Sequence, residues 1–204
     1  MLSHNTPLLF ATENAGKRAE LEKLFSDSGI PFATPHALAG IPEVEETGNS
    51  YSENAIIKAR AYALHYGLPS LGDDSGLEVA ALRGRPGVLS ARYGGASLTY
   101  DEKIRLLLDE MEKADEPDRS ARFVCVMAMA GPDGSVLVCE EGICHGSIIA
   151  APRGRNGFGY DPIFMPNGFD LTFGQLDDQV KNSISHRALA AAKIIRYLLG
   201  FIAV

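Results

Sequence analysis

Two aspartates stand side by side at Asp73-Asp74, after a short apolar stretch and before Ser75-Gly76. Adjacent carboxylates at a strand end suit a hard divalent cation such as Mg²⁺, which takes oxygen ligands and keeps several waters. They also suit removal of a proton from water, the more so where mutual repulsion raises one pKa. Neighbouring side chains on a strand point to opposite faces, so one of the two is expected to reach a ligand. The plainer reading of the same residues is an Asx turn closed by Gly76.

Further groups with chemical potential are spread along the chain. Thr12-x-Asn14-x-x-Lys17 falls where a strand turns into a helix, and helix starts attract anions through unpaired N–H groups and the dipole. A threonine, an amide and an ammonium there suit a phosphate, although the Walker pattern is absent and Asn14 could serve as a simple N-cap with Lys17 in solvent. Glu45-Glu46-Thr47-Gly48 precedes a helix whose Asn54 and Lys58, four apart, share one face; a capped, solvated helix start explains them as well. In Gly157-Phe158-Gly159-Tyr160-Asp161-Pro162 paired aromatics could stack on a flat ring while Asp161 reads ring N–H donors. Lys181-x-x-x-Ser185-His186-Arg187 places donors for a base carbonyl at the start of a helix. The alternatives are a loop packed on the core and a surface histidine. No His/Cys/Glu group has zinc spacing, and no Gly-x-Ser-x-Gly elbow occurs.

The elements that must position these groups follow from periodicity. Pro7–Thr12 reads as a buried strand, Lys17–Phe25 as a helix, and Pro31–Thr34 as a short strand. A helix opens at Asn49 or Ser50 and runs to Tyr66 with an Ala55, Ile56, Ala59, Ala63 stripe. Ser70–Gly72 is a short strand, Leu77–Ala81 stays extended, and Arg83–Gly95 reads as a loop. Asp101–Lys113 is an amphipathic helix. Arg122–Ala130 and Ser135–Cys144 are strands joined by Gly131-Pro132-Asp133-Gly134, a hairpin signal. Ala151–Gly168 reads as a loop, and a last helix starts near Ser183–Ser185 and ends at Gly200 as a left-handed cap. Strands and helices intermix and one hairpin is antiparallel, which predicts an α/β fold with a mixed sheet.

Composition narrows the function. Of 204 residues, 26 are Asp or Glu and 19 Lys or Arg, a formal charge of −7. That excludes a coat for a nucleic-acid polymer, which needs a basic face, but not a small anionic ligand held by local cations. The longest apolar run, Phe123–Ala130, is far short of the roughly 20 residues a membrane helix needs, so no membrane partner is expected. No signal-peptide pattern opens the sequence, and three cysteines without a Cys-x-x-Cys pair fit a reduced, cytoplasmic setting. Cys125 reads as a core thiol.

Taken in order, these blocks strongly resemble the inosine triphosphate pyrophosphatase family. The match runs from Phe10-Ala11-Thr12-x-Asn14-x-x-Lys17 through Glu53-Asn54-Ala55-x-x-Lys58-Ala59, Asp73-Asp74-Ser75-Gly76-Leu77 and Pro86-Gly87-x-x-Ser90-Ala91-Arg92-Tyr93 to Ser185-His186-Arg187. Glu13 departs from the pattern, since bacterial members usually carry glycine there. The resemblance implies an elongated, two-lobed fold spanning residues 1–204 as one domain, with a long mixed sheet flanked by helices and a cleft between the lobes. It implies a homodimer and Mg²⁺-dependent hydrolysis of inosine, deoxyinosine or xanthosine triphosphate to monophosphate and pyrophosphate. By motif, Thr12, Glu13, Asn14, Ala15, Gly16 and Lys17 would hold the triphosphate with Lys58. Glu46 and Asp74 would position Mg²⁺, with Asp74 also the proton acceptor. Ser75 would touch substrate, and Phe158, Gly159, Tyr160, Asp161, Lys181, His186 and Arg187 would surround the base. Guanine shares the 6-oxo group of these bases, so a further element must reject its 2-amino group. A pyrophosphatase for modified pyrimidine nucleotides and a non-catalytic nucleotide-binding module are the rival readings.

Overall fold

The computed structural model describes residues 6–35, 38, 40–115 and 118–202. Among the described residues six strands form one mixed sheet in the order β2-β1-β3-β4-β5-β6. β1 (Leu8–Phe10) pairs in parallel with β2 (Phe32–Ala33) and with β3 (Ser70–Val79). Parallel neighbours require crossovers, supplied by α1 (Ala15–Ser26) and α2 (Tyr51–Tyr66). β4 (Ser120–Ala130) and β5 (Val136–Ile148) are adjacent and joined by the expected turn, closed by Gly131 N–H to the Ser135 carbonyl at 2.8 Å, with Gly134 at φ 79°. β6 (Phe164–Pro166) runs antiparallel to β5. No helix among the described residues is long and apolar enough to cross a membrane.

The chain divides into two compact units. One comprises residues up to Asp74, Cys125–Gly142 and the stretch from Arg187; the other comprises Ser75–Val124 and Ile143–His186. In the first unit, strand alternation sends Phe10 and Leu71 to a core with Leu21, Phe25 and Ile194, and sends Leu9 and Ala11 to a separate core with Tyr62. In the second, Leu77, Ile104, Leu107, Phe123, Phe164 and Phe173 build the core. It includes α3 (Tyr100–Glu112), which opens on a capping box between Thr99 and Glu102.

Several expectations are corrected. Asp73-Asp74 does not stand at a strand end, and the alternative Asx turn is absent too: residues 73–76 lie inside the unbroken strand β3, because both flanks of the acidic pair carry buried apolar side chains. The Arg83–Gly95 loop contains a 3-10 helix, Gly87–Arg92, pinned where Ser90 Oγ accepts from Leu77 N–H at 2.9 Å. The Ala151–Gly168 loop contains a 3-10 turn, Asp161–Ile163, and β6. The C-terminal helix is two helices, α4 (Asp178–Ile184) and α5 (His186–Ile202), divided at Ser185, whose backbone is extended. Gly200 does not end α5: a glycine in a last turn lowers helix propensity by about 1 kcal/mol without terminating it.

Gly72 sets how closely α2 lies on β3. A Cβ there would sit 2.3 Å from the Ala55 carbonyl oxygen and 2.7 Å from the Ala59 nitrogen. Both are helix backbone atoms, which cannot swing aside as a side chain would. Gly72→Ala is therefore expected to destabilise the fold by about 3 kcal/mol, the upper end of ordinary overpacking. Urea unfolding checks this, and an unchanged midpoint would refute the close approach.

Candidate active site

At the head of α1, Asn14 is the N-cap, its Oδ1 accepting from Lys17 N–H at 3.0 Å, and Thr12 Oγ1 accepts from Asn14 N–H at 3.3 Å. Ala15 and Gly16 open the helix, where backbone N–H groups have no intrahelical partner. The cap explains the Asn, but Lys17 is not in solvent: its Nζ lies 3.2 Å from Asp73 Oδ2. Glu13 is exposed; with burial as the larger cause, its charge helps push the Tyr62 phenol up to about 12.

The tandem acids serve opposite faces of β3. Asp74, 5 % exposed, accepts from Asn54 Nδ2 at 3.1 Å and lies 3.6 Å from Lys58 Nζ, which contacts Glu46 Oε1 at 2.8 Å. Asn54 Oδ1 in turn accepts from Gly48 N–H at 2.9 Å, which fixes the amide so that its NH₂ faces Asp74. Gly48 has no room for a side chain, because a Cβ would come within 2.7 Å of Asn54 Oδ1. Burial works against the Lys58 ammonium, but Asp73, Asp74 and Glu46 outweigh it and hold its pKa above the usual lysine value. Burial raises the Asp74 pKa, and its cationic and amide neighbours only partly offset that.

Asp73 faces the other way. Its Oδ2 accepts from Arg187 Nε at 3.3 Å and Nη2 at 3.2 Å as well as meeting Lys17. Despite burial, Lys17 and Arg187 hold its pKa well below the ordinary carboxylate range. Arg187, expected beside a base, is 1 % exposed and clasped between Asp73 and Glu20. Its donors face the buried acids of the first unit because it is the second residue of α5, on the stripe that packs toward β3. Cys125 is fully buried, and burial pushes its thiol up to about 12, in keeping with a core role.

In the second unit the structure gathers Phe158, Asp161, Lys181 and Phe173. Lys181 Nζ donates to Asp161 Oδ2, which also accepts from Phe158 N–H at 2.8 Å. The same ammonium lies 5.3 Å from the Phe158 ring centroid and 5.5 Å from that of Phe173, within cation–π range. Gly157, at φ 70°, leaves the room this needs: a Cβ would fall 2.0 Å from Asp161 Oδ2. Tyr160 departs from the expected aromatic pair. It is 2 % exposed, stands edge-on to Tyr100, and donates its hydroxyl to the Ser90 carbonyl at 3.0 Å, so Phe158 is the aromatic left half-buried in that loop. His186 is a buried histidine, not a surface one, stacked on Phe123 at 4.6 Å and 10°. Ser75 and Gly159 are half-buried.

With the acids, amide and lysines around β3 in place, the sequence from residue 8 to residue 197 matches the Ham1 family. The chain belongs to the Ham1 family. Among the relatives of this Ham1 chain is a dITP/XTP pyrophosphatase of Coxiella burnetii, 46 % identical over 189 residues, covering 92 % of this chain and 94 % of the relative. Another, of Methylococcus capsulatus, is 47 % identical over 198 residues, covering 95 % and 98 %. A solved HAM1 protein from Coxiella burnetii superposes with a TM-score of 0.87 at 43 % identity, covering 96 % of this chain and 99 % of that one. The Ham1 protein of Staphylococcus aureus gives 0.83 at 39 %, covering 95 % and 98 %.

The sequence of this Ham1 chain pointed to no role for Asn54, Glu20 or Phe123, and for Asp73 only to one shared with Asp74. Asn54 carried a signal, its four-residue spacing from Lys58 on one helix face. Asp73 carried one in its place beside Asp74, whereas Glu20 and Phe123 carried none, since their partners lie far away in sequence. Among the described residues no three His, Cys, Asp or Glu side chains gather as a metal cage. The donor set of Glu46 and Asp74 is oxygen only, and the Lys58 ammonium already bridges it, so a cation's place between two carboxylates exists. Two carboxylates fit a hard ion that keeps waters and shares substrate phosphates.

Proposed function

We propose that the chain is a nucleoside triphosphate pyrophosphohydrolase, cleaving inosine, deoxyinosine or xanthosine triphosphate to the monophosphate and pyrophosphate. The dITP/XTP pyrophosphatases that resemble it, aligned over 92–97 % of this chain, support that substrate class. The observation that carries the reading is Asp74, buried and held by Asn54, with Lys58 bridging it to Glu46. A binding module has no use for a buried carboxylate kept beside an amide donor and a lysine that it shares with a second carboxylate.

In this reading Asp74 takes the proton of a water whose oxygen attacks the α-phosphorus, the bond to the α–β bridging oxygen breaks, and pyrophosphate leaves. Lys58 and Lys17 balance phosphate charge, and the head of α1 offers N–H groups to phosphate oxygens. Glu46 and Asp74 would hold Mg²⁺, which when bound supplies charge neutralisation at the phosphates. Phe158 stacks on the base, and His186 and Lys181 donate to a 6-oxo group, which accepts, and disfavour the 6-amino group of adenine. Where a site leaves a buried polar group unpaired against the wrong base, discrimination reaches about 10⁴-fold. With the resemblance go action in the cytoplasm, a single domain and a homodimer.

The test is pyrophosphate release from inosine, deoxyinosine and xanthosine triphosphates against adenosine, guanosine and methylated uridine triphosphates, with Mg²⁺ and after chelation. The expected result is a kcat/KM at least about 100-fold higher for the first three, lost on chelation. Equal turnover of adenosine triphosphate, or preference for the uridine nucleotide, would overturn it.

A further inference from the structure

The reaction outlined above gives Asp73 no task, yet Asp73 is the deeper of the tandem acids, 1 % exposed against 5 % for Asp74. Its Oδ2 meets Lys17 Nζ at 3.2 Å, and its backbone carbonyl lies 3.5 Å from the same atom. Oδ2 also accepts from both Nε and Nη2 of Arg187, while Oδ1 is buried with no hydrogen-bond partner among the described residues.

A lysine ammonium has three donors on a flexible four-carbon stem, so its place is set by what tethers it. Here one residue engages it twice, through carboxylate and carbonyl, and a donor remains for a ligand. Glu20, Arg187, Asp73 and Lys17 alternate in sign, so the run is neutral as a whole. Because Asp73 divides its charge between Arg187 and Lys17, Lys17 is incompletely neutralised and keeps attraction for an anion. When Lys17 turns to a phosphate, Arg187 still compensates Asp73, so no bare buried carboxylate results.

We infer that Asp73 is a positioning residue that sets the place of the Lys17 ammonium for the phosphate chain, with Arg187 and Glu20 holding Asp73 itself. This rests on the assignment of Lys17 to the phosphates. An Asp73 that only fastened α5 to β3 through Arg187 would leave Lys17 indifferent to its loss.

The test is calorimetric binding of inorganic tripolyphosphate, at fixed Mg²⁺, to the wild type, Lys17→Ala, Asp73→Asn and the double variant. Each single change is expected to weaken binding about tenfold, and the double change no more than about tenfold, because both remove one shared interaction. With inosine triphosphate, KM rises in Asp73→Asn by more than kcat falls. Should Asp73→Asn fail to fold through the loss of one of the two carboxylates that clasp Arg187, the same cycle is run in an Arg187→Met background, where both members of the Asp73–Arg187 pair are removed together. Wild-type affinity in either single variant, or losses that multiply to about 100-fold in the double, would overturn the inference. Failure of the hydrolysis reading looks different: no pyrophosphate from any nucleotide while the Lys17–Asp73 coupling persists.

Discussion

Asp74→Asn is expected to bind inosine triphosphate within a few-fold of normal and to lose about 10²–10⁴-fold in turnover, the usual worth of a general base. The substitution is isosteric, and its amide oxygen can still accept from Asn54 Nδ2, which Asp74 receives at 3.1 Å. Packing is thereby kept, as is the close approach of α2 to β3 at Gly72. What goes is the site for a proton and the negative charge that Lys58 shares with Glu46. In the proposed mechanism the loss of a cation ligand would add to the loss of the base, which puts the expected effect at the upper end of the range. Pyrophosphate release measures turnover and calorimetry measures binding. Turnover within about threefold of wild type would remove Asp74 from the chemistry.

Arg187→Ala has the largest expected effect on stability. The guanidinium is 1 % exposed and donates to Asp73 and Glu20, both of which lie in the first unit with it. Removing one member of a buried ionic group leaves the rest uncompensated and costs about 3–5 kcal/mol. For a chain of this length that corresponds to roughly 10 °C in Tm. An arginine waiting in solvent for a base would instead move stability by about 0.5 kcal/mol or less. Thermal unfolding separates these cases, and a Tm within about 2 °C of wild type would contradict the buried clasp.

Much of the architecture was legible before any coordinates. α2 follows from its alanine stripe and its Ser50 cap, α3 from its amphipathic spacing, and the β4–β5 hairpin from its Gly-Pro-Asp-Gly turn. Each depends on residues a few positions apart. Two glycines misled for different reasons: Gly76 resembles a turn residue, but burial of the flanking chain carries the strand straight through it, and Gly200 resembles a cap, but the helix continues to Ile202. Local propensity is a weak prior once apolar neighbours can be buried on both sides.

The sequence by itself determined which chemical groups this protein owns, their order along the chain, and the family to which that order points. It did so because residue type and short-range periodicity are written directly in the chain. Only the tertiary structure decided which groups meet. Lys17 lies 56 residues from Asp73, Arg187 lies 114 from Asp73, and Arg187 lies 167 from Glu20, yet each pair is in contact. No local rule fixes such distances. They are set where α1, α5 and β3 pack, and that packing turned an arginine expected at a base into the anchor of Asp73.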